Sequence, residues 1–220
     1  MGINVLIINS CIKPLRHDLV DFLLMRSEID FIVILEDSNH IKSATKTYSE
    51  FIGRPKLLIK SVDFLQTLEV HNELQDLLLQ YEFHHIVYNE CPYADNQESL
   101  LRMDIQVFKA TLLQEINKKI TIFQKLGKFF KEINQKVYIY VIIPEHAQTI
   151  LMDDNFVQNA LFGGFHMLTT AFADEFVDYG IYCNGLLANE FLIETMHWLV
   201  FDNKELIHGK LISNKQIILW

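Results

Sequence analysis

The chain has 220 residues, with 28 acidic against 19 basic side chains and a formal net charge of −9. Half of its residues are hydrophobic, which is enough apolar material for one large core and excludes an intrinsically disordered protein. The acidic balance argues against a nucleic-acid-binding protein. No apolar run approaches the ~18 residues of a membrane span, and no basic segment precedes the apolar start, so neither a membrane protein nor a secretory signal is predicted.

The cysteines and histidines predict neither disulfides nor a metal site. Cys11, Cys91 and Cys183 are far apart in the sequence and odd in number, which is typical of reduced thiols and a cytoplasmic location. His84 and His85 are adjacent, but no third ligand follows at the spacing that a zinc site requires. We therefore expect no bound metal.

The first half of the chain alternates short apolar runs with amphipathic segments. Residues 4–9 (NVLIIN) predict a buried strand, residues 15–27 a helix and residues 31–35 (FIVIL) a second strand. The alternation continues with a polar helix over 38–51, a strand over 57–62, a helix over 64–82 and a strand over 84–89.

The second half continues the pattern with a long amphipathic segment over residues 100–133, in which Gly127 predicts a bend or break. Residues 137–143 (VYIYVII) predict the most apolar strand, and Pro144 ends it. The remaining predicted elements are a helix over 155–178, a strand over 180–187, a short helix over 190–200 and a last strand over 215–219.

Strands that alternate with helices at this spacing predict an α/β fold. We expect a Rossmann-like, doubly wound and mostly parallel sheet with helices on both faces and right-handed crossovers. No linker or repeat interrupts the pattern, so residues 1–220 are interpreted as one domain. No glycine lies between Gly2 and Gly53, which excludes a glycine-rich phosphate-binding loop from the first fifty residues.

Several short motifs occur in an order that resembles the short-chain dehydrogenase/reductase family. Residues 168–176 (LTTAFADEF) and 180–184 (GIYCN) are similar to the family pattern "ltralA.El...gIrVN". Residues 207–211 (IHGKL) resemble the late "itGq.l" segment, and residues 86–89 (IVYN) stand where the family has "LVNNAG". Asn117 stands where the family has "vN" on its central helix. The resemblance implies a Rossmann-like fold and an NAD(P)-dependent ancestor.

The cofactor turn departs from the family pattern. The family has a glycine-rich turn after the first strand, whereas residues 9–16 here read NSCIKPLR. Side chains fill the space that glycines leave open, and Pro14 removes a backbone donor. We therefore expect no cofactor, and NAD(P) if there is one. By resemblance, the candidate cofactor contacts are Asp37, Val62 and Asn89, each of which is also interpretable as an ordinary strand end.

The catalytic positions depart as well. The family's acid/base tyrosine, and the lysine four residues after it, lie on the helix that here covers residues 155–178. Gln158 and Phe162 stand at these two positions, and neither side chain transfers a proton near neutral pH. Of the family's catalytic residues, only Asn117 is matched. Its alternative interpretation is a polar residue that fixes a helix kink or binds water.

A glycine pair on the same helix predicts close approach of another helix. Gly163 and Gly164 each cost roughly 1 kcal/mol in a helix relative to alanine, so a packing gain is expected. In the resembling family this helix packs against its copy across a dimer interface. Phe165 and Phe172 would contribute to the apolar surface, together with Phe162, Met167 and Phe176. The alternative is packing within the subunit.

Three functional hypotheses follow. The first is a non-catalytic protein of this family type that acts by association, as a homodimer or with an active reductase in a biosynthetic pathway. The second is an NAD(P)-dependent oxidoreductase whose acid has moved, for example to Tyr138 or Tyr140. The third is a sensor that binds a small ligand or nucleotide in the crevice at the carboxyl ends of the strands.

Overall fold

The computed structural model describes residues 2–10, 17–49, 56–89, 104–144, 156–202 and 206–218. Its strands are β1 (Ile3–Asn9), β2 (Ile29–Asp37), β3 (Leu57–Val62), β4 (His85–Asn89), β5 (Val137–Pro144), β6 (Ile181–Ala188), β7 (Leu211–Ser213) and β8 (Gln216–Ile218). Its α-helices are α1 (His17–Leu24), α2 (Ile41–Thr47), α3 (Thr67–Gln80), α4 (Ile105–Ile133), α5 (Phe156–Phe176) and α6 (Leu192–His197).

All the described strands join one sheet in the order β3-β2-β1-β4-β5-β6-β7-β8. Every pair of neighbours is parallel except β7 and β8, which form an antiparallel hairpin at one edge. The strand order reverses between β1 and β4, so the chain winds outward in both directions from this point. The predicted Rossmann-like, doubly wound α/β fold is confirmed.

Both faces of the sheet are covered by helices, because the side chains of each strand alternate between two apolar layers. Leu6 and Ile8 of β1 belong to the layer under α3, α4 and α5. Val5 and Ile7 of the same strand belong to the layer under α1 and α6. This burial on two sides explains why the strands appear in the sequence as continuous apolar runs rather than as alternating patterns.

The structure differs from the sequence prediction at three elements. The strand β7 was not predicted, because three residues give too short a run to detect. The predicted last helix ends earlier: α6 stops at His197, and a π-helical turn follows over Trp198–Asp202. The predicted break at Gly127 is wrong, since α4 is continuous through it.

Close packing explains the glycine in the middle of α4. A Cβ atom built on Gly127 would lie 2.6 Å from the ring of Phe176 on α5, which is closer than atoms approach in real proteins. The Phe176 ring is itself buried and stacks 5.8 Å from the ring of Phe172. Gly127 therefore allows α4 and α5 to approach each other, and it does not bend the helix.

This packing predicts opposite effects for two glycine-to-alanine changes. Gly127→Ala is expected to lower the free energy of unfolding by about 1–3 kcal/mol, because steric overlap outweighs the gain in helix propensity. Gly163→Ala is the matched control on α5. A Cβ atom there meets nothing within 4 Å, so a gain of up to ~1 kcal/mol is expected. Urea unfolding at low protein concentration measures both, and equal gains for the two variants would contradict the packing account.

Candidate functional site

The point where the strand order reverses places polar side chains at the carboxyl ends of three neighbouring strands. Asn9, the last residue of β1, is paired in register with Glu36 of β2 on one side and with Asn89 of β4 on the other. In doubly wound sheets, ligands bind in the crevice outside this reversal point. These residues therefore define the candidate site.

A continuous chain of hydrogen bonds joins the three side chains. The Asn9 amide nitrogen donates to both carboxylate oxygens of Glu36, at 2.7 and 2.9 Å. The Asn89 amide nitrogen donates to the Asn9 side-chain oxygen at 2.7 Å. Asn9 thus uses its donor and its acceptor within the protein, and we refer to Glu36, Asn9 and Asn89 as the crevice chain.

Burial makes the carboxyl group of Glu36 unusually basic. The residue is 2 % exposed, and removal from water raises its pKa to about 7, although hydrogen bonds from Asn9 and from the backbone of Asp37 lower it in part. A carboxylate that is buried and already hydrogen-bonded in this way is poorly placed to accept the hydroxyl groups of a ribose.

A second polar group lies on the α4 side of the same strands. The hydroxyl groups of Ser10 and Tyr88 are 3.1 Å apart, and the Lys118 ammonium donates to the Ser10 carbonyl oxygen at 3.3 Å. Lys118 also forms an ion pair with Glu115 on the preceding helical turn, at 2.6 Å. These four side chains connect the end of β1 to α4.

Lys119 is a charged residue inside the apolar core, and sequence reasoning missed it. Its side chain is fully buried, and its ammonium donates to the Phe165 carbonyl oxygen at 3.0 Å and to Thr169 Oγ1 at 2.9 Å. It also lies 4.9 Å from the centroid of the Phe165 ring. Lys119 therefore ties α4 to α5. Its spacing from the buried residues Ile122 and Phe123 could have revealed it, because three and four residues are the intervals of one helix face.

Asn117 does not face the site. Its side chain is exposed, whereas Glu115 and Lys119 on the same helix are buried. A rotation of 100° per residue places position 117 roughly opposite position 115, so only one of them can point toward the sheet. The match of Asn117 to the family's catalytic asparagine therefore stays a prediction from sequence. The two-letter motif match was too short to fix the register of the helix.

The other sequence-predicted catalytic positions lie on α5. Gln158 and Phe162 both belong to this helix, but their side chains lie outside the described residues. The turn of residues 11–16 lies outside them as well. The replacement of the tyrosine and lysine by glutamine and phenylalanine therefore remains a statement about sequence.

The predicted cofactor contacts are engaged within the chain. One carboxylate oxygen of Asp37 accepts from both the backbone and the side-chain nitrogen of Asn39, each at 2.9 Å. The Val62 carbonyl oxygen accepts from the Ser38 backbone nitrogen at 2.8 Å. Asn89 belongs to the crevice chain. The side chains of Asp37 and Asn89 and the carbonyl group of Val62 thus already have partners within the chain.

Tyr138 and Tyr140 are also misplaced for the chemistry considered for them. Tyr138 is the second residue of β5, and the carboxyl end of that strand is Pro144, ~20 Å away at the rise of an extended chain. Tyr140 is 1 % exposed, and its hydroxyl group is hydrogen-bonded to Nδ1 of His85 at 3.1 Å. Burial raises the pKa of Tyr140. A relocated acid at either position is therefore ruled out by geometry.

The residues predicted for an interface divide into two groups. Phe165 and Phe172 are 3 % and 9 % exposed, and Phe172 stacks on Phe123 of α4 with ring centroids 4.6 Å apart. They form part of the interior, which corrects the expectation that they supply apolar surface. Gly163 and Gly164 face open space, so packing within the described part of the subunit does not explain them.

Among the described residues, no group of three or more histidine, cysteine, aspartate or glutamate side chains could hold a metal ion. Within the same ranges, each helix is too short or too polar to cross a membrane.

The crevice chain predicts a difference in how stability depends on pH. Glu36 has a folded-state pKa of about 7, raised from 4.5, so its contribution is complete below pH 4.5 and is lost as the pH rises through 7. Between pH 5 and pH 8, wild type should lose about 2–3 kcal/mol of unfolding free energy relative to Glu36→Gln. Asp37→Asn is the control and should follow wild type. Urea unfolding at each pH measures the unfolding free energies. If those of wild type and Glu36→Gln change in parallel with pH, the pKa of Glu36 is not raised.

Comparison with known proteins identifies the fold. No protein-family model and no curated protein matches the sequence. Solved structures are similar over nearly the whole chain. One is a short chain dehydrogenase from Mycobacterium smegmatis, with TM-score 0.75, 15% identity and coverage of 96% of this chain and 91% of that one.

Two other solved structures give the same result. A 3-ketoacyl-(acyl-carrier-protein) reductase from Brucella melitensis complexed with NADH has TM-score 0.74, 16% identity and 97% coverage of both chains. A short-chain type dehydrogenase/reductase from Mycobacterium ulcerans has TM-score 0.74 and 9% identity, covering 97% of this chain and 90% of that one. This chain therefore has the fold of the short-chain dehydrogenases/reductases.

Proposed function

We propose that this chain is a non-catalytic protein with a dehydrogenase fold that acts by association, as a homodimer or with an active reductase. The crevice chain carries the proposal. The Asn9 amide connects Glu36 to Asn89, so the polar groups at the carboxyl ends bind one another. Gln158 and Phe162 stand where the resembling family has its tyrosine and lysine, and Asn117 faces solvent. The side chains at the family's tyrosine and lysine positions therefore supply no group for proton transfer to a substrate near neutral pH.

The outward face of α5 supports association. Gly163 is exposed and a Cβ atom there would meet nothing within 4 Å. Met167 is 72% exposed, and Ala171 is exposed on the next turn. Spacing of four residues places all three on one stripe. On neighbouring α4, Leu113 is 59% exposed. Small and apolar residues on such a stripe permit close approach of a helix from another subunit.

The layer behind this face gives it a fixed shape. Leu161 and Phe165 of α5 pack against Phe108, Leu112 and Ile116 of α4. Lys119 adds hydrogen bonds between the same two helices. A rigid pair of helices loses little conformational entropy when a partner docks on it, which favours association.

The biological setting is proposed from fold similarity alone. One structural neighbour is named a 3-ketoacyl-(acyl-carrier-protein) reductase, which is consistent with a partner in fatty-acid or polyketide assembly. Such analogy supplies a context but no mechanism. We further propose that residues 1–220 act as one domain, since all the described strands share one sheet, and that the protein is cytoplasmic, as its few, widely separated cysteines predict.

Association through this face predicts a sensitive position and an insensitive one. Met167→Asp should raise the dimer dissociation constant at least about tenfold, because it introduces an unpaired charge into an apolar contact. Leu79→Asp on α3 is the matched control, since Leu79 is 68% exposed but lies outside the α4–α5 face. Sedimentation velocity over a concentration series measures both.

Two outcomes would count against this face. Equal weakening by Met167→Asp and Leu79→Asp would reject it as the contact surface. A wild-type chain that stays monomeric at ~100 μM, and that does not co-sediment with an active reductase of the same fold, would reject association itself.

An NAD(P)-dependent oxidoreductase is the second candidate. One observation favours this candidate. The hydroxyl groups of Ser10 and Tyr88 are hydrogen-bonded, and Lys118 donates to the Ser10 carbonyl oxygen. A phenol thus lies near a cation at the reversal point of the sheet. The oxidoreductase candidate predicts hydride transfer from NADPH or NADH to a 3-ketoacyl thioester, with loss of turnover in Tyr88→Phe. The proposed non-catalytic role predicts no turnover in the wild type or in Tyr88→Phe. A small-ligand or nucleotide sensor is the third candidate and predicts binding without turnover.

A further inference from the structure

A cavity of about 310 Å³ lies on the face of the sheet opposite α4 and α5, between α1, α6 and the turn that joins β7 to β8. Its lining residues are Phe22, Arg26, Ile193, Glu194, His197 and Lys215. None of them belongs to the crevice chain or to the proposed contact face. The inference below therefore goes beyond the proposed function and does not depend on it.

The cavity offers an apolar and aromatic surface. The ring of Phe22 lies 5.9 Å from that of His197 and 6.2 Å from that of Phe201, measured between centroids. Ile193 adds an aliphatic side chain. Such a surface contacts the hydrocarbon part of a ligand, which leaves specificity to the few polar groups around it.

The guanidinium group of Arg26 is held in place beside this surface. Its central carbon lies 4.8 Å from the centroid of Phe22 and 5.6 Å from that of Phe201. Arginine stacks on aromatic faces while its N–H groups stay available for a planar acceptor. The exposed carboxylate of Glu28 lies near enough to attract Arg26 electrostatically, but neither Arg26 nor Lys215 is held in a bonded ion pair among the described residues.

The backbone places Lys215 on a tight turn beside the cavity. Lys215 has a φ of 60° and Asn214 a φ of 48°, and both lie between the paired residues Ser213 and Gln216. Positive φ at both central residues is characteristic of a type I′ turn, which is common in two-residue hairpin loops. The hairpin thereby presents Lys215 to the cavity from the edge of the sheet.

The charged residues that line the cavity favour a ligand with a single negative charge. Arg26 and Lys215 contribute two positive charges and Glu194 one negative charge, which leaves an excess of one positive charge on a protein whose net charge is −9. His197 is paired with Asp202 at 3.0 Å, so it adds little to this excess. A monoanion matches the lining, whereas a dianion is repelled by Glu194 and by the acidic surface.

We propose that this cavity binds a small apolar monocarboxylate. Arg26 and Lys215 bind the carboxylate, and Phe22 and Ile193 contact the hydrocarbon part. A cavity of this size is at the lower end of the range for small-molecule sites. The ligand is therefore of the size of a single ring or a short acyl chain.

The test is an NMR titration of the protein labelled at isoleucine δ1 methyl groups, with phenylacetate as the probe. The Ile193 resonance should shift and saturate. Phenylacetamide has the same shape without the charge and should bind at least about tenfold more weakly. Phenyl phosphate at pH 8 is a dianion and should also bind more weakly than phenylacetate.

Two variants connect the binding to the named side chains. Arg26→Met keeps an unbranched stem over the aromatic rings but removes the charge, and it should weaken phenylacetate binding at least about tenfold. Lys128→Met, on α4 across the sheet, is the matched control and should leave binding unchanged. Circular dichroism verifies that both variants are folded.

Three results would overturn the proposal. The first is no saturable Ile193 shift at about 10 mM phenylacetate. The second is equal binding of phenylacetamide, which would leave the cations without a role. The third is tighter binding of phenyl phosphate, which would reject the carboxylate as the ligand class.

Discussion

The Asn9 side chain is the contact on which the site depends. It ends the strand from which the sheet winds outward in both directions, and it has Glu36 on one neighbouring strand and Asn89 on the other. A buried carboxylate requires hydrogen-bond donors, and Asn9 supplies one. Its own oxygen then requires a donor, and Asn89 supplies it. These three side chains are thereby hydrogen-bonded to one another without a ligand.

The fold places weaker requirements on the sequence than catalysis does. Two apolar layers and eight strands depend on side-chain size and hydrophobicity, which many sequences satisfy. Identity of only 9–16% to structures with TM-scores of 0.74–0.75 illustrates this tolerance. Proton transfer depends on particular residues at particular atoms, and a single substitution removes it. A scaffold can therefore outlast its active site.

The helices α4 and α5 carry the surface that the proposed association requires. Toward the interior they are joined by Lys119 and by the contact of Gly127 with Phe176. Away from the interior, α5 carries Gly163 in open space and an exposed Met167. The two helices are therefore packed tightly on their inner side and exposed on their outer side, as expected for a surface that binds another subunit.

Most of the fold was predictable from sequence, and most of the site was not. Strands such as β5 are long apolar runs and could be predicted from the runs alone, whereas the three-residue strand β7 could not. Asn117 was assigned by a short motif that does not specify the rotation of a helix, and its neighbours Glu115 and Lys119 face inward in its place. Glu36 was only one of several acidic residues at strand ends, because burial is a property of the tertiary structure.

Calorimetric titration of the protein with NAD⁺, NADH, NADP⁺ and NADPH tests the central claim most directly, with an active reductase of the same fold as the positive control. If the crevice chain has replaced the cofactor, none of the four dinucleotides produces saturable heat at about 1 mM. Saturable binding at micromolar concentration would contradict the account. It would mean that the crevice chain opens for a ligand and that the oxidoreductase or sensor candidate is correct.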